Sequence, residues 1–351
     1  MPNYKIDLKF SRSGKKALLH TAVSAYRSVS GATDSLEIFN KGVVIRAKRS
    51  SHTQNPLTTP NSTLFKQITK ALCLYYIVEQ QPNQVREISI SRMKDTKAVS
   101  SEITPKANLR QVVMRSTNLT ALASVNLIKA ELLLSETPAG RSVLHAATHL
   151  IKSLDSANPF DRFEKLWRAF NALYSAFAKA GTDHECQVKL RNYIQDSPSL
   201  FPLSIAMVTP LTTAQIRSKI KWNQMIFNNH PENKTTALKD TIFRNSDPRI
   251  LEMYQSSLPI RKKFLTTANL YAATSAYIQN GISTNAPRHS DVLSTLCIKY
   301  MYFVRNKIAH AEKADHGFAF LHGSTDESEI RWLAPFLEAL VIDLINISDT
   351  F

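Results

Sequence analysis

A chain of 351 residues, 43% hydrophobic and 21% charged, has the composition of an ordinary packed protein and is long enough for two structural units. No apolar run reaches the roughly 18 residues that a bilayer crossing demands, since residues 199–211 fall short and are broken by Pro202 and Pro210. The formal net charge of +16 argues for a polyanionic partner, and it is unevenly placed: residues 1–120 carry 19 Lys and Arg against 7 Asp and Glu, a net of +12.

Phosphate contact by the front third is therefore expected, with Arg46, Lys48 and Arg49 as candidate RNA-binding cations. The first ten residues alternate polar and apolar instead of forming an export signal. Cys73, Cys186 and Cys297 lie far apart among apolar neighbours, which reads as small buried residues in a reducing compartment, not as disulfides or a zinc site. A cytoplasmic protein with no membrane attachment is the expectation.

In chain order, alternation over residues 4–10 and 35–48, with Leu36, Ile38, Val43 and Ile45 among the apolar positions, predicts strands, and Gly42 marks a turn between two of them. Residues 14–29 and 64–79 place apolar side chains at helical spacing, and alternation returns over 85–90. Residues 50–62, with Pro56 and Pro60 among Ser, Thr and Asn, predict a loop, and 95–108 a linker. From residue 118 onward the pattern is helical, over 118–135, 139–155, 160–180, 212–228, 233–244, 259–281, 289–313 and 327–347. Asn158-Pro159, Leu258-Pro259 and Ser290-Asp291 supply entry signals. The fold class is α+β: a small basic α+β domain over 1–105, then a mainly α-helical domain over 106–351 with a helical insertion at about 197–258.

Near the end of one predicted helix stands Arg305-Asn306-Lys307-Ile308-Ala309-His310, an R-N-x-x-x-H pattern followed by a polar loop and another long amphipathic helix. Upstream, residues 163–174 read F-x-x-L-W-x-A-F-N-A-L-Y, from Phe163 to Tyr174. These two segments resemble the HEPN superfamily (higher eukaryotes and prokaryotes nucleotide-binding), whose nuclease members carry R-[NDH]-x(n)-H in a helical bundle. The resemblance covers roughly residues 110–196 and 259–348; it leaves the front unit and the insertion unexplained. It implies a metal-independent endoribonuclease acting as a homodimer, a toxin or antiphage effector restrained by an antitoxin or released by an activating partner.

The residue types suit that chemistry. A histidine with pKa about 6.5 holds or releases a proton at cellular pH, so His310 is the candidate acid or base. Arg305 would stabilise charge on a phosphorane, and Asn306 would orient its neighbours. Arg305 and His310 stand about 140° apart on an ideal helix, so they converge only across a groove, and two copies packed about a twofold axis would form one. Asn171, a polar residue on an apolar helix, and Lys307 are further candidate RNA contacts, whereas Trp167, Phe170 and Tyr174 read as core. His145 and His149 lack companion ligands, and His316 and His322 lie in the loop after the motif, so no metal and no cofactor are expected. No Gly-rich phosphate loop or nucleophile elbow is present. The alternative is a non-catalytic nucleic-acid-binding or regulatory protein of the same fold, in which His310 merely caps a helix.

Overall fold

A computed structural model describes residues 2–26, 32–50, 55–59, 62–114, 119–309 and 324–351. It divides into two compact units, Met1–Lys179 with Leu344–Phe351, and Ala180–Asp343.

The first unit is built on one antiparallel sheet of β1 (Asn3–Phe10), β2 (Leu18–Ala25), β3 (Thr33–Phe39), β4 (Gly42–Lys48), β5 (Val85–Lys94) and β6 (Lys97–Pro105), in the order β2-β3-β4-β1-β5-β6. Tyr4, Ile6, Leu8 and Phe10 of the central strand are buried on one face, as period-two alternation requires. Helix α1 (Thr63–Glu79) lies on that face, with Phe10 stacked on Tyr75 at 3.8 Å between ring centroids. Ser62 caps α1 by accepting from the Phe65 N–H at 3.0 Å. Gly42 opens β4 where a Cβ would come within 2.3 Å of the Leu8 carbonyl oxygen, so only glycine lets the two strands meet there.

Two expectations in this unit are corrected. Residues 14–29 are not helical: they hold β2, paired with β3 from Leu18↔Phe39 to Ala25↔Thr33. The large apolar residues that suggested helical spacing, Leu18 and Val23, are 56% and 65% exposed, while small Ala22 and Ser24 face inward, so hydrophobicity carried no strand signal. The expected linker at 95–108 holds β6, whose residues are all exposed or half-buried and whose identity comes from pairing with β5.

The rest of the first unit is helical. Residues 118–135 form 3₁₀ turns around one short helix, α2 (Leu127–Ala130), in place of a long helix. Helices α3 (Pro138–Leu154) and α4 (Pro159–Ala178) follow, capped by Thr137 and Asn158 with proline in the first turn. The sheet ends at Pro105, beside the expected boundary, but α3 and α4 belong to the same compact unit as the sheet. Ser24 Oγ and Lys70 Nζ both donate to the Leu134 carbonyl, at 2.8 and 3.0 Å, which ties strand, helix and 3₁₀ turn together.

The second unit is helical throughout its described residues: α5 (Asp183–Asp196), α6 (Pro202–Val208), α7 (Thr213–Lys219), α8 (Trp222–Asn229), α9 (Thr235–Phe243), α10 (Pro248–Thr267), α11 (Tyr271–Thr284), α12 (His289–Leu293), α13 (Met301–Ala309) and α14 (Thr325–Asn346), the last ending in the first unit. Helix α5 was not anticipated, although Thr182 and Glu185 form a capping box at its start. Pro259 does not open a helix. It lies inside α10, which starts at Asp247-Pro248 because Asp247 accepts from the Arg249 N–H at 2.9 Å. Residues 197–258 are packed into this unit. The Asp291 carboxylate, fully buried, accepts from the Ser246 and Asp247 N–H groups at 2.7 and 3.1 Å and from Gln195 Nε2 at 2.9 Å. Asp343 accepts from the Ser204 N–H at 2.8 Å at the start of α6. No described helix is long and apolar enough to cross a membrane, and Cys73, Cys186 and Cys297 are buried and unbridged.

Candidate functional site

The helix that ends in the R-N-x-x-x-H pattern begins as a π-helical segment, Ser294–Tyr300, and continues as α13. Leu296, Cys297, Tyr300, Met301, Phe303 and Val304 are buried, and this apolar side fixes the helix in the unit. A polar network fixes its depth. Tyr300 Oη donates to Glu329 of α14 and accepts from the Lys221 N–H at 2.6 Å, while Lys221 Nζ pairs with Asp326 and stands 3.7 Å from Glu329. Burial, then the Glu329 charge, pushes the Tyr300 phenol far above its ordinary range, so it remains a donor.

One turn later come the candidate side chains. Arg305, Asn306 and Lys307 are half-buried, and Arg305 Nη1 donates to Asn306 Oδ1 at 3.1 Å, the orienting contact expected of the asparagine. Among the described residues no carboxylate pairs with Arg305, so its charge is not neutralised by them. Lys307 Nζ lies 5.7 Å from the centroid of the Phe303 ring. His310 lies outside the described residues, as do His316 and His322.

The upstream motif is in the first unit. Phe163, Leu166, Trp167, Phe170, Leu173 and Tyr174 are buried along α4, with Trp167–Phe170 and Phe170–Tyr174 centroids at 5.3 and 4.7 Å, as core residues should be. Asn171 is exposed on the same helix, so it does not satisfy a buried backbone group. No group of three His, Cys, Asp or Glu among the described residues comes together in a way that could hold a metal ion.

The basic front requires a correction. Arg49 is not a surface cation: its side chain is 3% exposed, and Nη1 and Nη2 donate to the two carboxylate oxygens of Asp34 at 2.6 Å each. Nε donates to Thr63 Oγ1 at 2.9 Å and the guanidinium lies over the Tyr26 ring at 4.4 Å, so no face is left for RNA. Arg46 is exposed but paired with Glu37 at 2.7 Å. Lys5 and Lys9 of the neighbouring strand are likewise paired, with Asp7 and Glu87.

Lys48 is exposed and, among the described residues, in no ion pair; the register places it across Asn3, which on its other side meets Met93. That end of the sheet also carries the β5–β6 hairpin, where exposed Lys94 faces exposed Lys97 around a turn through Asp95. Lys94 and Lys97 escaped sequence reading because the hairpin was taken for a linker; the signal for it was two short polar runs around Asp95-Thr96. Charge reversal of Lys48, Lys94 and Lys97 together should weaken RNA binding and lower the magnitude of its log–log salt slope by about 2 to 3. A filter-binding titration at several salt concentrations checks this; unchanged affinity would assign the end of the sheet to a protein partner.

No protein-family model matches the chain, and no curated protein or solved structure was found similar to it.

Proposed function

We propose that the chain is a metal-independent endoribonuclease of HEPN type, working as a homodimer, with Arg305 and His310 as its catalytic pair and RNA as its substrate. The structural observation that supports the reading most is Arg305 itself. Its guanidinium is half-buried at the end of a helix held by Tyr300 and Glu329, braced by Asn306, and without a described carboxylate against it. A cation held in place with its charge uncompensated is suited to an anionic transition state.

In the reaction the ribose 2′-oxygen attacks the neighbouring phosphorus while the bond from phosphorus to the 5′-oxygen breaks. The proton from the 2′-hydroxyl passes to a base, and the departing 5′-oxygen takes one from an acid. Two copies of His310, one per protomer, supply both roles, and Arg305 carries the charge on the phosphorane oxygens. Every demand of the step is met by side chains of this chain, so no metal is assigned. An activity of this kind harms its own cell unless restrained, which fits a toxin or antiphage effector with an antitoxin or an activating partner.

The test is cleavage of a mixed RNA substrate in EDTA by the wild type and by Arg305→Ala and His310→Ala. Activity that survives both substitutions rules the mechanism out. Light scattering at micromolar concentration should give twice the chain mass; a monomer, with and without RNA, would remove the composite site.

A further inference from the structure

A second concentration of positive charge lies on the same helix, in the π-helical segment that precedes Arg305. Such segments are rare and are found disproportionately at functional sites. Lys299 stands there, half-buried, with Nζ 3.3 Å from His230 Nε2. Burial, followed by the charges of Arg191 and Arg244, pulls its ammonium down to about 7. Arg191 of α5 is lowered in turn by burial and then by Arg244. His230 is 6% exposed, and burial, then Lys299, Lys234 and Arg261, drives its imidazole down to about 3, so it stays neutral.

Five cationic side chains thus repel across one small region, and among the described residues none of them pairs with a carboxylate. Folded proteins pair their buried charges, so an uncompensated set of this size calls for a counter-ion. Uncapped donors occur in the same surroundings. Tyr254 is 1% exposed, lies within reach of the Arg191 charge, and its hydroxyl has no hydrogen-bond partner. With the ammonium donating to Nε2, His230 carries its ring proton on Nδ1, and that nitrogen and Arg261 Nε are also buried without partners. Such atoms cost free energy unless an acceptor arrives.

We propose that this cluster binds a phosphate group, held by Arg191, Arg244 and Lys299 and supplemented by the unfilled donors of His230 and Tyr254. A phosphate presents several acceptor oxygens and up to two negative charges, which matches a set composed only of donors and cations. Arg244, at the end of α9, is exposed and gives the ligand an entrance from solvent.

Thermal unfolding of the full chain should be followed in inorganic phosphate and, separately, in a nucleoside monophosphate, against chloride at equal ionic strength. Both phosphates should raise Tm in a saturable way that chloride does not reproduce. In Arg244→Gln, whose exposed position leaves folding intact, and in Lys299→Met the midpoint should rise by about tenfold or more, the loss of one charge-assisted hydrogen bond. A monophosphate midpoint well below that of free phosphate identifies a nucleotide as the ligand, and equal midpoints identify the phosphoryl group alone. An equal rise in chloride, or wild-type midpoints in both Arg244→Gln and Arg191→Gln, overturns the site and leaves the nuclease reading standing.

Discussion

Arg305→Ala and His310→Ala should each lower RNA cleavage in EDTA by about 10²-fold or more, the range seen when a transition-state donor or a positioned acid–base group is removed. The double variant should be little worse than the weaker single one, because the two groups act in one step and their losses do not add. Arg305→Lys should recover little, since an ammonium lacks the planar fork that holds two phosphate oxygens. Asn306→Ala should cost roughly tenfold, as it frees the guanidinium from its 3.1 Å brace without removing the charge. Lys307→Ala should matter least of the four, since its Nζ lies 5.7 Å from the Phe303 ring centroid. These are single-turnover rates on one RNA. Melting should move by less than about 1 kcal/mol for Arg305→Ala, because no described carboxylate loses a partner.

Arg49→Ala should destabilise the first unit by about 3–5 kcal/mol and leave RNA affinity at folded concentrations unchanged. The substitution strands the Asp34 carboxylate, 4% exposed, with its two 2.6 Å donors gone. It also removes the bond to Thr63 and the contact with Tyr26, which tie the end of β4 to the start of α1. Two controls separate stability from binding. Lys48→Ala, at the next position and exposed, should change unfolding by no more than about 0.5 kcal/mol. Asp34→Ala combined with Arg49→Ala should recover part of the loss, because the lone buried charge is then gone. Urea unfolding of the four proteins decides the matter. A small cost for Arg49→Ala together with weakened RNA binding would return that arginine to the surface.

The contrast between Arg49 and Lys48 shows where sequence reading ends. Net charge reported that the front is basic, but two adjacent cations in one strand point to opposite faces, and only the register revealed that Arg49 meets Asp34. The central strands were legible because Tyr4, Ile6, Leu8 and Ile45 alternate with polar residues across a buried face. The edge strands were not: β2 buries Ala22 and Ser24, and β6 buries nothing, so pairing with β3 and β5 defines them without any hydrophobic pattern.

In the helical part, α3, α4 and α14 carry strong apolar stripes and proline or capping signals, and were found within two residues. Pro259 misled because a proline usually opens a helix, yet Asp247 capped the same helix eleven residues earlier. The motif at Arg305 was legible as a spacing. Its support was not, since Tyr300, Glu329 and Lys221 come from three separate segments, and Lys299 reads as an ordinary surface lysine until Arg191, Arg244 and His230 are folded around it.

The chemistry of the cut ends speaks most directly to the central claim. RNA incubated with the wild-type protein in EDTA should yield fragments with a 5′-hydroxyl and a 2′,3′-cyclic phosphate, and a single 2′-deoxy substitution at the cut should block cleavage there. Fragments carrying 5′-phosphate, cleavage that proceeds through a 2′-deoxy position, or a strict need for added divalent metal would contradict attack by the ribose hydroxyl under Arg305 and His310.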